Sequence, residues 1–294
     1  DGVNCVMYEN DLSDFVDKLS HYLINEKERD LIVDNAYDMI INKYTWKHMA
    51  LNLMSEIERI QKSSQIVRDT LEKLHEFVKP GVSTLELDCI AEDYIKSQDA
   101  IPGFKGLYGF PSTVCASVDD EVVHGVPNDK KLEEGQILSL DVGAIYKGYY
   151  GDHARTFPVG PISASTKKLL DVTEKSLYEG IKSAKPGNRI GDISYSIQDY
   201  VESNGFAVVR DLVGHGIGES LHEDPQIPNF GVKGTGDVIK EGMCFAIEPM
   251  VTMKSYEVFT KKDDWTICTK DGSLAAHFEH TITIMDNGAK ILTK

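Results

Sequence analysis

Residues 79–97, KPGVSTLELDCIAEDYIKS, and 185–203, KPGNRIGDISYSIQDYVES, align without a gap, sharing Lys-Pro-Gly, Asp-Tyr and the closing Ser. Two further matches follow in the same order. EGQILSLD (134–141) aligns with EGMCFAIE (241–248), setting Asp141 against Glu248, and the Asp-His at 152–153 answers the Glu-His at 279–280, setting Asp152 against Glu279. Each Lys-Pro-Gly segment is also followed by a β-rich run ending in His-Gly, first His124-Gly125 and then His215-Gly216. One period spans about a hundred residues, too long for a solenoid and suited to a duplicated half-domain. Three matches in one order, with acids at matched positions of apolar strands, favour duplication over chance recurrence of a helix-to-turn signal. Two halves related by a pseudo-twofold bring one His-Gly and two strand carboxylates from each side to a common centre.

The acids raise a physical conflict. SLDVGAIYKGYYGDHARTF (139–157) reads as two apolar strands around a turn, with Asp141 on one arm and Asp152 on the other. A turn at Tyr146-Lys147 sets them directly opposite and one at Lys147-Gly148 sets them a diagonal step apart; either way they share a face. Like charges across a ladder destabilise it, so the pair needs a shared proton, a cationic partner or a metal ion. Glu248 stands among Phe245, Ile247 and Met250, and Glu279 precedes Ile282 and Ile284. Four acids in such surroundings are costly to bury unless paired or coordinated. Carboxylates with one or two imidazoles suit divalent Mn, Fe, Co or Zn, and four of them carry charge enough for two cations.

Other chemistries fit less well. A two-carboxylate glycosidase has no need of four acids and symmetric histidines. There is no G-x-S-x-G, and Cys115 and Cys244 read as buried apolar residues. GHGIG (214–218) lacks the Walker pattern, and its glycines are expected to let backbone pass close to His215. The formal charge of −16 argues against general binding to nucleic acid or anionic membranes, and no apolar run approaches the roughly 20 residues that span a bilayer. Five scattered cysteines, odd in number and never in C-x-x-C, fit a reducing cytosol. No secretory signal is visible, and a start at Asp1 rather than Met is expected of a trimmed or incomplete product.

Residues 1–55 have another character. From Asp11 onward they are glycine-free, rich in charge and spaced for two or three amphipathic helices, with a separate helix expected over Ile60–Val78 and stopped by Lys79-Pro80-Gly81. Ser83 and Glu86 form a capping box for the helix that follows.

CASVDDEVVHGVP, LDVGAIYKGYYGDHARTF, VGHGIGESLHEDPQIPNF, MCFAIEPMV and HFEHTITI together resemble a type I methionine aminopeptidase, over roughly residues 56–294. The resemblance implies an α/β pita-bread fold, internally duplicated, with a curved antiparallel sheet and outer helices. It implies five metal ligands, which occur here in order as Asp141, Asp152, His215, Glu248 and Glu279. Asp152 and Glu279 would bridge two divalent ions (Co, Mn, Fe or Zn), Asp141 would bind one, and His215 with Glu248 would complete the other. A metal-bridging hydroxide would attack the first peptide carbonyl of a Met-initiated chain with a small second residue, Glu248 would shuttle the proton, and His124 and His222 would bond the substrate amide and carbonyl.

Phe110, Cys115, Leu221 and Trp265 would line the methionine pocket, with Phe104 and Leu107 nearby. The pocket departs from the common pattern, which often has Tyr or Cys where Phe104, Leu107 and Phe110 stand and Phe where Leu221 stands. His153, His277 and His280 read as packing residues, the first and last on the strand faces opposite a ligand. The family reading also implies a cytoplasmic monomer acting on nascent polypeptide N-termini, with ribosome association, and no nucleic-acid or membrane partner. Xaa-Pro aminopeptidases, prolidases and creatinases share the fold and much of the ligand set, but VGHGIGESLHEDP favours the methionine enzyme. A non-catalytic relative that binds protein or RNA is expected to lose ligands, and none is missing. The extension, through DGVNCVMYEN and NEKERDLIVDNAYDMIINKYTWKHMA, is similar to the C-terminal tail of a group 1 glycosyltransferase, without the nucleotide-sugar domain that transfer requires.

Overall fold

The described residues begin in helices, as the glycine-free stretch predicts. The computed structural model describes residues 12–43 and 45–294, with the backbone alone at 46–54. The chain divides into two units, Asp1–Ser55 and Glu56–Lys294. The first contains α1 (Leu12–Ile24) and α2 (Glu26–Lys43). α3 (Trp46–His75) is one helix where the sequence reading had a separate one starting at Ile60, because no glycine or proline interrupts it.

In the second unit, α4 (Thr84–Ser97) precedes β1 (Ile101–Pro102), β2 (Val114–Val118), β3 (Glu121–Val123), β4 (Ile137–Tyr146) and β5 (Tyr149–Pro158). Next come α5 (Ala164–Ser183) and α6 (Ile190–Ser203), then β6 (Ala207–Val208), β7 (Val213–Gly216), β8 (Glu223–Pro228), β9 (Cys244–Ile247) and β10 (Met250–Thr252). β11 (Val258–Thr260), β12 (Ile267–Thr269), β13 (Ala275–His277), β14 (His280–Met285) and β15 (Gly288–Ile291) finish the chain. Among the described residues every strand pairing is antiparallel, in the orders β1-β4-β2 with β5 on β4, β13-β10-β6, β11-β12-β3 and β15-β14-β9-β7-β8.

The duplication is written into the backbone hydrogen bonds. Gly81 and Gly187 both take positive φ, 89° and 86°, which only glycine adopts without strain, and each turns the chain into its helix. Gly81 N–H donates to Leu132 O at 2.8 Å, and Gly187 N–H donates to Ile239 O at 3.0 Å. The bridges Ser83 to Lys131 and Arg189 to Val238 repeat the same relation. The predicted capping box forms: Ser83 Oγ accepts from Glu86 N–H, and the Glu86 carboxylate accepts from Ser83 N–H. Each half keeps its own apolar core, one gathered around Val67, Leu71, Leu87, Ala91, Leu138 and Leu140, the other around Leu177, Ile193, Ile197, Phe245, Ile247 and Ile282.

The His-Gly pairs are not structural counterparts. β7 lies beside β9 as β2 lies beside β4: His215 faces Ala246 and Ser117 faces Ser139, and Ala246 is the repeat partner of Ser139. His215 therefore takes the place of Ser117, while His124 follows β3. Register along a paired strand fixes equivalence, and a shared dipeptide does not.

Candidate metal centre

The β4–β5 hairpin turns at Lys147-Gly148, since Tyr146 pairs with Tyr149. Asp141 then faces Ala154 and Asp152 faces Gly143, so the two aspartates sit one diagonal step apart on one face. Glu248 and Glu279 are not inside strands, as their apolar flanks suggested. They fall at breaks, Glu248 between β9 and β10 and Glu279 between β13 and β14, where the chain leaves one sheet for another.

Those breaks deliver the second half's acids to the first half's hairpin. Glu279 N–H donates to Ala154 O at 2.9 Å, and Thr281 Oγ1 accepts from Asp152 N–H at 3.0 Å while donating to Asp152 O at 2.7 Å. Stitching 279–281 to 152–154 sets the Asp152 and Glu279 carboxylates side by side. His215 completes the group, with one ligand atom from each of Asp152, His215 and Glu279 lying within 4.8 Å of the others. His215 Nε2 is 3.8 Å from Asp152 Oδ2 and 3.5 Å from Glu248 Oε1. Tight backbone contact makes room for it: a Cβ on Gly214 would lie 2.5 Å from Ala246 O, and one on Gly216 2.3 Å from Asp224 O.

Electrostatics show what this arrangement lacks. Asp141 Oδ1, Asp152 Oδ1 and Glu279 Oε1 are buried without a hydrogen-bond partner. Burial pushes the Asp152 carboxyl up to about 7, and Asp141 donates a shared proton towards it. Burial first, and then the neighbouring carboxylates, hold Asp141, Glu248 and Glu279 well above the carboxylate range. Burial lowers His215 to about 4, leaving a neutral imidazole with a lone pair to give. Orphaned oxygens, mutual repulsion and a neutral imidazole, with Asp152, His215 and Glu279 gathered together, make a donor set that fits divalent cations.

The centre forms part of the wall of a cavity of about 540 Å³. His124 and His222 line it too, with the His222 ring edge-on to His215 at 4.6 Å between centroids. Burial lowers His124 to about 4 and also lowers His222.

Residues 58–286 match the model of metallopeptidase family M24. A methionine aminopeptidase of Clostridium acetobutylicum is 53% identical over 240 residues, 81% of this chain and 96% of the relative. Methionine aminopeptidase 1 of Bacillus subtilis is 53% identical over 239 residues, covering 81% and 96%. The chain belongs to the methionine aminopeptidases of family M24. The crystal structure of the Thermotoga maritima methionine aminopeptidase superposes with a TM-score of 0.81 at 48% identity, covering 82% of this chain and 97% of that one. The pita-bread expectation is met, and membership makes the protein a user of divalent metal. None of these matches bears out the glycosyltransferase resemblance of residues 1–55, part of which lies outside the described residues.

The apolar lining of the cavity gathers Phe104, Phe110, Cys115 and Leu221, all buried, with Leu107 and Trp265 half-buried against them. Trp265, exposed-looking in its charged loop, meets Phe110 edge-on at 5.2 Å between centroids. Cys244 is half-buried rather than buried. His153 and His280 lie behind the acids, stacked at 4.8 Å, and His153 Nδ1 bonds the Glu279 carbonyl. His277, read from sequence as packing alone, has Nε2 3.5 Å from Glu248 Oε2. Sequence reasoning also passed over Thr281. Its one available signal is that Thr281 and Thr283 put hydroxyls beside Ile282 and Ile284 in a buried strand.

Proposed function

We propose that the protein is a metal-dependent aminopeptidase that hydrolyses the first peptide bond of polypeptides beginning with methionine followed by a small residue. The observation that carries this reading is the set of partnerless buried oxygens around His215, in a cavity that is also lined by buried apolar side chains. In this reading Asp141, Asp152, His215, Glu248 and Glu279 would hold the divalent metal, and Mn, Fe, Co and Zn all suit the donors. Bound, they supply Lewis acidity, lowering the pKa of a water and stabilising negative charge on the carbonyl oxygen.

The chain's own residues do the rest. Phe110, Cys115, Leu221 and Trp265 take the unbranched thioether and exclude water from it. His124 and His222, neutral at pH 7, each offer one N–H to the scissile amide and carbonyl, so charge arising there meets donors already in place. Glu248 carries the proton towards the leaving amine. Residues 1–55 form an extension outside this chemistry. The acidic surface leaves nucleic acid out, and the substrate is a nascent N-terminus met in the cytoplasm by a monomer associated with ribosomes. No helix among the described residues is long and apolar enough to cross a membrane.

The test is peptide cleavage after chelation, with Mn, Co, Fe or Zn restored separately, comparing Met-Ala-Ser, Lys-Ala-Ser and peptides containing Ala-Pro. Metal-dependent release of methionine alone is expected. Cleavage only before proline would move the protein to the Xaa-Pro enzymes, and tight metal binding without cleavage would make it a binding protein.

A further inference from the structure

We infer that His277 is a positioning residue for Glu248, donating from Nε2 to the carboxylate oxygen other than the one nearest His215. The inference rests on the metal-ligand reading of Glu248 proposed above. The ring is placed by its backbone. His277 closes β13, where it faces Met250 on β10, two residues beyond Glu248. Its N–H donates to Thr156 Oγ1 and its carbonyl accepts from the same hydroxyl, each at 2.9 Å. Glu248 is likewise anchored, its carbonyl accepting from Asn229 Nδ2 at 3.0 Å. Both main chains are therefore fixed, and only side chains can adjust.

Between them lies an unfinished contact. His277 is 1% exposed, and its Nε2 is buried without a hydrogen bond. Glu248 sits between two imidazoles, Oε1 at 3.5 Å from His215 Nε2 and Oε2 at 3.5 Å from His277 Nε2. An ionised carboxylate only accepts, so with Oε1 turned to a cation, Oε2 still needs a donor. A small rotation of the carboxylate closes the second gap and gives the buried His277 Nε2 the partner it lacks, an orphan that is costly alone. A neutral ring in the Nε2–H tautomer suffices, so the contact requires no charge on His277. It also fixes the plane of the carboxylate, and with it the direction in which Oε1 presents its lone pairs.

The experiment compares wild type with His277→Leu, which fills similar space without a donor, and His277→Gln, which offers an amide N–H at comparable reach. On full chains stripped by chelator, Co(II) affinity is measured by calorimetry and the Co(II) visible spectrum is recorded; kcat and KM follow for Met-Ala-Ser. For His277→Leu we expect Co(II) affinity to fall about 10- to 100-fold, the usual consequence of losing a partner behind a metal ligand. Its Co(II) spectrum shifts and kcat falls while KM holds; His277→Gln returns all of these towards wild type. If His277→Leu fails to fold, His277→Asn replaces it: its donor is one carbon short, and it should lose affinity where Gln keeps it. Wild-type affinity and spectrum in the Leu or Asn variant, or a Gln variant no better than either, overturns the inference. Affinity and spectrum need no cleavage, so a wild type that binds Co(II) without cutting Met-Ala-Ser would sink the proposed function and leave this comparison decisive.

Discussion

Asp152→Asn in metal-free protein isolates what the centre costs when nothing is bound. The folded Asp152 carboxyl is pushed up to about 7 by burial, from an ordinary 3.8. Between those values the folded protein holds a proton that the unfolded chain has released, so ionisation opposes folding and this group's contribution falls as pH rises. Taking about 1.4 kcal/mol per pH unit, and allowing for half-titration at the upper end, the loss between pH 5 and pH 7 is about 2 kcal/mol. The buried histidines act in the opposite sense. His215 and His124 at about 4 release protons on folding, so their contributions rise between about 4 and 6.5. Total stability therefore mixes both signs, and the difference between variants cancels the contributions that the two proteins share.

An asparagine of the same shape cannot titrate. In chelator-treated protein, Asp152→Asn should gain on wild type by about 2 kcal/mol from pH 5 to pH 7, or roughly 4–8 °C in melting temperature for a unit of this size. Saturating Mn(II) should reverse the order at pH 7, because the cation binds the ionised form and an ion at a hundred times its Kd adds about 2.7 kcal/mol to the protein that binds it. Denaturant melts at pH 5, 6 and 7, with and without Mn(II), measure both differences. A wild-type-minus-variant difference that is flat with pH, or an equal gain from Mn(II) in both proteins, would refute the reasoning.

Three further outcomes can be checked. Gly143→Ala places a methyl 2.4 Å from Phe104 Cε1, so the ring must shift into the cavity; KM for Met-Ala-Ser should rise, and Phe104→Ala in the same chain should relieve it. Thr281→Val keeps the shape but leaves the Asp152 N–H without its partner, which should cost about 1–3 kcal/mol in denaturant melts of metal-free protein. His222→Ala should lower kcat with metal affinity retained, read by cleavage assay and calorimetry together; joint loss of affinity would move His222 into the ligand set.

How far the centre was legible depended on how unusual each residue was for its surroundings. An aspartate or glutamate in an apolar run has no ordinary explanation, so Asp141, Asp152, Glu248 and Glu279 stood out, as did the duplication that relates them. Histidine and threonine are unremarkable in buried strands. His277 therefore read as packing, and Thr281, which bonds the Asp152 backbone from across the seam, gave no sign beyond a hydroxyl in a buried strand. The match of His124-Gly125 with His215-Gly216 misled because two letters carry no register, whereas strand pairing sets His215 where Ser117 stands. The strand breaks at Glu248 and Glu279 were hidden for a related reason: apolar flanks report burial, and burial does not distinguish a strand from the point where a chain crosses between sheets.

That exchange of Ser117 for His215 is where the duplication stops being symmetric. The paired acids differ by a methylene, Asp141 and Asp152 in one half against Glu248 and Glu279 in the other, and only the second half adds an imidazole through its strand. On the proposed assignment the first half would offer a cation oxygen alone, while the second would add the His215 nitrogen, a donor that later first-row metals favour. The longer glutamates reach inward from strand breaks, whereas the shorter aspartates lie on a continuous hairpin whose backbone is braced by Thr281 and Glu279. A symmetric scaffold thus presents an asymmetric set of donors. Such asymmetry would let bound metal activate a water on one side of the centre and hold a carbonyl oxygen on the other.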